Sequence, residues 1–230
     1  MKIPGRMIAL CVMSLAWPTA IAGTVVIPGF GSDIQLGVSS FKEQQFRSVI
    51  QQQYDFSCGS AAVASLLSFH YGHDVTEQDV FEGMLALADE DKVRREGFSM
   101  LDMKRYLESE GYSADGFRMP LSGIREKVRV PVIALISLEG YRHFVIIKGI
   151  SKTEVLVGDP ARGLKVYPRD QFEKHWNGAA FVIRSHLQHG RSTFQDDGQW
   201  PMVVRAPLSR GQQGPSLSQT LPHWPSSREW

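Results

Sequence analysis

Apolar residues change their spacing along this chain, and the change falls near residue 130. Before it the pattern is helical. Ala61, Ala62, Ala64, Leu66 and Leu67 predict a narrow, buriable helix from Cys58 to Tyr71, with Ser57 at its N-cap and Gly72 as its stop. Thr76-x-x-Asp79 opens a second helix running to about Ala88, with Val80, Met84, Leu85 and Leu87 on its apolar face. Asp89 to Gly97 reads as a charged connection. Ser99 with Asp102 opens a third helix that turns Leu101, Tyr106 and Leu107 inward and stops at Gly111, and Leu121 to Arg129 reads as a short fourth helix before Pro131.

After residue 130 the pattern is that of strands. Val132 to Ile136 is a continuous apolar run and Phe144 to Ile147 a second, joined across Glu139-Gly140. Val155 to Val157 and Leu164 to Tyr167 follow, then a short helix over Arg169 to Trp176 and a final strand over Ala180 to Ile183. Ahead of all this, Thr24 to Ile27 and the alternating Ile34, Leu36 and Val38 read as short extended pieces of an arm over 24–50, packed along the domain. Helices first and antiparallel strands after make an α+β fold.

Length and charge narrow the picture. The chain has 230 residues, 43% of them hydrophobic, enough for one domain with a real core plus attachments. With 25 basic and 24 acidic side chains it has no charge stripe, and nucleic acid is not an expected partner. Lys2 and Arg6 precede an apolar run from Met7 to Trp17, and Ala20-Ile21-Ala22 has the small-x-small form of a cleavage site. This predicts a signal peptide over 1–22, transient engagement of the export pathway and membrane, and an exported, periplasmic product; the competing reading is an uncleaved membrane tether. The expected division is then an arm over 23–44, a catalytic domain over 45–187 and a flexible Gln-, Ser-, Gly- and Pro-rich tail over 188–230, in which Trp200 to Val204 is the one stretch suited to docking.

Cleavage after Ala22 would remove Cys11 and leave Cys58 as the single cysteine. An exported protein usually pairs its thiols, so a lone one needs another reason to exist. Burial as a small hydrophobe is one reason. Position at a helix start is another, because the dipole and the unpaired first-turn N–H groups both favour the nucleophilic thiolate. Such a nucleophile needs a base, a group to orient that base, and donors for the oxyanion. His70 and His73 lie at the far end of the Cys58 helix, while His175, His186, His189 and His223 fall late in the chain. His143 stands at a strand mouth, directly before the apolar run 144–147, and Asp159 closes the next strand between Gly158 and Pro160. Neighbouring antiparallel strands can bring those two side by side. A glutamine amide can donate toward an oxyanion together with the Cys58 N–H, but spacing does not choose among Gln51, Gln52 and Gln53. One cysteine and dispersed histidines lack the ligand spacing of a metal site, and neither metal nor cofactor is expected.

Gln52 with Cys58-Gly59-Ser60-Ala61-Ala62, then His143-Phe144-Val145-Ile146-Ile147, then Gly158-Asp159-Pro160-Ala161, in that order, resembles the bacteriocin-processing, double-glycine-leader cysteine peptidases over roughly 45–185. The resemblance implies a papain-like fold with the cysteine on a helical lobe and the histidine and aspartate on a sheet. It implies Cys58 as nucleophile, His143 as base, Asp159 as orienter and Gln52 as oxyanion donor. This chain departs from that family by Ser57 before the cysteine and by the lack of a P-loop transporter portion. In that respect it is most similar to the free-standing periplasmic peptidases of functional-amyloid export systems, which implies amyloid subunits or their export partners as substrates. The expected function is therefore an exported cysteine endopeptidase. The alternatives are a peptidase-fold module that binds unfolded export substrates without cutting them, and acyl transfer in place of hydrolysis.

Overall fold

The continuous apolar runs after residue 130 form a sheet buried on both faces, which is why they show no polar alternation. The computed structural model describes residues 24–27, 34–37, 40–138, 140–195, 198–200 and 203. The predicted signal peptide and the tail beyond residue 203 lie outside the described residues. The chain divides into two compact units, Met1–Phe41 and Lys42–Trp230. In the first, β1 (Thr24–Ile27) and β2 (Ile34–Gly37) pair antiparallel, Thr24 opposite Gly37, so the extended pieces form a hairpin. A short helix, α1 (Phe41–Phe46), follows.

The larger unit begins with helices α2 (Cys58–His70), α3 (Glu77–Leu85), α4 (Glu90–Glu96) and α5 (Met100–Ser109). Both anticipated capping boxes are present, at Thr76/Asp79 and Ser99/Asp102, each worth about 1 kcal/mol. α4 replaces the expected charged connection. Its one buried apolar residue is Val93, too little for periodicity to detect, and its helicity comes from its ends. The Asp89 side chain accepts the Lys92 N–H, acidic residues fill the first turn, Arg94 pairs back to Glu90, and Gly97 takes a positive φ of 75°. In α5 the inward residues are Met103, Tyr106 and Leu107, whereas Leu101 is exposed, one correction to the predicted face.

A six-stranded antiparallel sheet follows, in the order β3-β8-β4-β5-β6-β7. Its members are β3 (Ala114–Arg118), β4 (Val132–Leu138), β5 (Tyr141–Ile150), β6 (Glu154–Asp159), β7 (Gly163–Pro168) and β8 (Trp176–Ile183). β3 was not legible in the sequence, because Asp115, Gly116 and Arg118 break the strand pattern; it is an edge strand held by pairing with β8. Between β3 and β4, α6 (Leu121–Gly123) continues into a π-helical turn (Ile124–Val128), and α7 (Arg169–His175) precedes β8.

Alternate residues of the central strands enter two cores. Ile133, Phe144 and Ile146 join α2, α3 and α5 in one, while Val132, Ala134, Val145 and Ile147 join Leu121, Ile124, Phe172 and Trp176 in the other. The sheet is thus sandwiched, with α2 lying across β4 and β5. Past β8, α8 (Leu187–Thr193) lies on the domain, with His70 Nδ1 2.8 Å from Thr193 Oγ1, and Trp200 packs against a small third core.

Candidate active site

The buriable helix predicted from small residues places Cys58 at the first position of α2, 6% exposed. Close packing of that helix start depends on Gly59, where a Cβ would come within 3.0 Å of Met103 Cε and 3.1 Å of Phe98 Cβ. Ser57 occupies the N-cap position but makes no cap bond; its hydroxyl turns back to Tyr54, accepting from the amide at 3.1 Å and donating to the carbonyl at 3.1 Å. The first-turn N–H groups of α2, Cys58's among them, therefore stay uncapped by the Ser57 side chain.

β5 starts at Tyr141, earlier than the apolar run suggested, so His143 is the strand's third residue and not a residue before it. It lies opposite Ile136 of β4 and is 4% exposed. Its Nε2 lies 2.8 Å from Asp159 Oδ1, at the end of the adjacent strand β6. The same Oδ1 accepts the Ala161 N–H at 2.8 Å and the Arg162 N–H at 3.2 Å, which fixes the carboxylate in the turn that Pro160 opens. With Nε2 committed to Asp159, Nδ1 is the nitrogen left for Cys58. It is buried and short of a fully formed hydrogen bond, yet the thiol is near enough to favour the imidazolium. Burial, the largest influence, pulls the His143 pKa down; the Asp159 hydrogen bond, then the Cys58 thiol, then the charges of both outweigh it and hold the pKa up at about 9.

Gln52 is half-buried while Gln51 and Gln53 are exposed, so the structure separates the three. The Gln52 N–H donates to Pro160 O at 3.0 Å, tying it to the turn that carries Asp159. Its Nε2 donates to Tyr54 O at 2.8 Å and Asp55 O at 3.4 Å, and its Oε1 is buried without a partner among the described residues. The amide is therefore seated on the loop that delivers Cys58. His70 and His73 bond Thr193 and Tyr112, and His175 faces Ser137 O, so none of these three joins the cysteine.

Cys58 opens into a cleft of about 440 Å³ with an apolar floor that includes Phe56, Phe98, Leu135 and Phe144. Tyr141 lines it too and was not anticipated, although its place two residues before His143 on one strand puts both side chains on one face. Its hydroxyl donates to Asp55 O at 2.7 Å, and its ring stacks on His143 at a centroid distance of 6.2 Å. Burial, then the charges of Cys58 and Asp55, raise its pKa. Tyr141→Phe removes the tie to the Cys58 loop; the expected result is a roughly 5-fold lower rate of Cys58 alkylation at a stability cost of about 1 kcal/mol, read by iodoacetamide kinetics and urea melts. An unchanged alkylation rate would show that Tyr141 only lines the cleft.

This arrangement sits within a matched family segment: residues 47–187 match the Peptidase C39 family. The chain belongs to that family. Among curated relatives it is 42% identical over 174 residues, 76% of each chain, to the probable functional amyloid protease FapD of Pseudomonas aeruginosa, and 42% identical over 181 residues to its namesake in Pseudomonas fluorescens, covering 77% of this chain and 79% of that one. It is 32% identical over 145 residues to the lactococcin-G-processing and transport ATP-binding protein LagD of Lactococcus lactis, covering 62% of this chain and 20% of that much longer one. The solved peptidase domain of Streptococcus ComA superposes with a TM-score of 0.52 at 18% identity, over 59% of this chain and 96% of that domain. The papain-like C39 architecture expected from the ordered motifs is the fold found, and a cysteine peptidase acting on protein or peptide is the function class to which the chain belongs.

Proposed function

We propose that the protein is an exported cysteine endopeptidase of a functional-amyloid secretion system, cutting amyloid subunits or their export partners. The observation that carries the mechanism is the 2.8 Å bond between His143 Nε2 and Asp159, which leaves Nδ1 toward Cys58. Cys58 Sγ attacks the scissile carbonyl as the thiolate. The imidazolium of His143 then protonates the leaving amine, and the imidazole next draws a proton from water to release the acyl group. Asp159 holds the ring's orientation and favours its charged form. Gln52 Nε2, on turning away from Tyr54 O and Asp55 O, and the Cys58 N–H are the donors to the tetrahedral oxyanion. The cleft beside Cys58 receives the extended substrate, its apolar floor taking side chains and its open end letting the chain run through. Likeness to the two FapD proteins supports the amyloid setting, and the signal-peptide pattern over residues 1–22 supports periplasmic export.

Iodoacetamide tests the reading. One equivalent is expected to label Cys58, and the labelled protein is expected to stop cutting a co-expressed amyloid subunit followed by intact-mass spectrometry. Cleavage that persists after complete labelling overturns it.

A further inference from the structure

The segment after β8 does more than end the chain. The Peptidase C39 match stops at residue 187, where α8 begins. Beyond α8 the chain runs back over β5. The Gln195 N–H donates to Lys148 O at 2.9 Å and its Nε2 to Ile150 O at 3.2 Å. Trp200 then covers Gly149, where a Cβ would lie 3.1 Å from the indole Cζ2, so the strand carries the residue that leaves room for the ring. Trp200 packs into the small core of Val49, Leu156 and Leu164, which Phe46 also joins, and Gln199 Oε1 accepts a hydrogen bond from Ser48 Oγ at 3.1 Å.

Phe46, Ser48 and Val49 are the approach to Gln52. Beneath, this approach is fitted to the sheet so closely that a Cβ at Gly163 would lie 2.6 Å from Gln45 O, and one at Gly158 would lie 3.0 Å from Val49 Cγ2. Lys148, 1% exposed, donates from Nζ to Ser48 O at 2.7 Å. A buried ammonium needs bonded acceptors to offset its lost hydration, and Gln195 and Trp200 lie against the strand on either side of it, at Lys148 O and Gly149. Past Val49 the segment is pinned by the Ile50 N–H to Ser65 Oγ at 2.8 Å and the Gln52 N–H to Pro160 O at 3.0 Å. Three residues span roughly 10 Å at most, so a shift at Ser48–Val49 strains the Ile50 and Gln52 bonds that seat the amide. An oxyanion donor works over a range of only about 0.4 Å.

We infer that the C-terminal strap, through Trp200 and Gln199 on Ser48 and Val49, is a positioning element for the Gln52 amide. The inference rests on the reading of Gln52 as an oxyanion donor. Its contacts with Ser48 and with the core around Val49 lie on the approach to Gln52, through which it acts.

Two reactions of Cys58 separate this role from general stability. In acylation by p-nitrophenyl acetate the thiolate forms an S–C bond to the acetyl carbonyl, whose oxygen carries the negative charge until the ester C–O bond breaks and p-nitrophenolate leaves. Alkylation by iodoacetamide displaces iodide and creates no oxyanion. In the full chain, Gln52→Ala is expected to slow acylation about 100-fold, and Trp200→Ala about 10-fold while leaving alkylation within about 2-fold of wild type. Trp200→Phe restores most of the acylation rate, and Trp200→Ala adds nothing in a Gln52→Ala background. If Trp200→Ala fails to fold, Gln199→Ala, which removes the acceptor of the Ser48 bond, carries the same comparison with an expected loss of about 3-fold. Slow acylation in Gln52→Ala with wild-type rates in the strap variants overturns the inference and leaves the catalytic reading standing. A wild-type acylation rate in Gln52→Ala overturns both. Equal losses of acylation and alkylation in the strap variants reduce the strap to a stability element and also overturn the inference.

Discussion

Cys58→Ala is expected to abolish peptide-bond cleavage and to leave a folded protein. The substitution deletes one atom from a side chain at the start of a helix whose following residues are already small, and alanine is the best helix former. The cost in stability is on the order of 1 kcal/mol. No neighbour can replace the sulfur. Ser57 Oγ is engaged with Tyr54, and Ser60 Oγ is held between Ser57 O at 2.9 Å and Glu77 Oε1 at 3.0 Å. Both serines are fully buried, and neither lines the cleft. Loss of the nucleophile in a unit of this kind costs about 10⁶-fold in turnover, below detection in a mass-spectrometric assay of an amyloid subunit expressed with each form of the protein. A Cys58→Ala protein that cuts at the wild-type rate would refute thiol catalysis. A wild-type protein that binds the subunit, leaves it whole and loses nothing on Cys58→Ala would make the chain a holding module.

The second large effect belongs to Asp159, and its two replacements separate charge from framework. Asp159→Ala leaves His143 Nε2 and the Ala161 and Arg162 N–H groups without their shared acceptor. Of these donors His143 Nε2 is the buried one, Ala161 and Arg162 being exposed, so a loss of about 1–3 kcal/mol is expected together with a fall in turnover of about 10³-fold. Asp159→Asn keeps an acceptor at that place and loses only the charge; it is expected to fold, with His143 titrating well below its present value of about 9. The difference is visible in stability against pH. A histidine raised from an ordinary value near 6.5 to about 9 stabilises the fold fully below about pH 6.5, and that contribution is lost as pH rises through about 9, to at most about 3 kcal/mol. Urea denaturation at pH 6, 7.5 and 9.5 should therefore show wild-type stability falling across this window and the Asp159→Asn curve nearly flat. Parallel slopes in the two proteins would show that the Asp159 charge does not set the His143 pKa.

Much of the fold was legible because local rules agreed with it. Capping boxes at Thr76 and Ser99, the small-residue helix after Cys58 and the unbroken apolar strands each announce themselves within a dozen residues. Elements held together by other means were not legible. α4 is made by its caps and its charge order around a single buried valine, and β3 by its pairing to β8. α8 and Trp200 read as tail because their sequence is polar; α8 finds its place beside α2, through Thr193 on His70, and Trp200 its place over the bare Gly149 of β5.

The candidate site divides in the same way. Residue type and order along the chain were enough to single out Cys58, His143 and Asp159, because a thiol at a helix start and a histidine and an aspartate on successive strands carry their chemistry in their identity. Which nitrogen faces the thiol, how far the histidine is raised, and which of three neighbouring glutamines turns inward depend on atoms from distant segments. Asp159 reaches Nε2 across the β5–β6 pair, Pro160 O fixes the Gln52 backbone, and Tyr141 clasps the Cys58 loop from the far side of the cleft. The sequence by itself determined which groups are present and on which element each rides. Only the tertiary structure decided their orientation, burial and mutual charge, since a hydrogen bond across 16 or 86 residues of chain leaves no trace in local spacing.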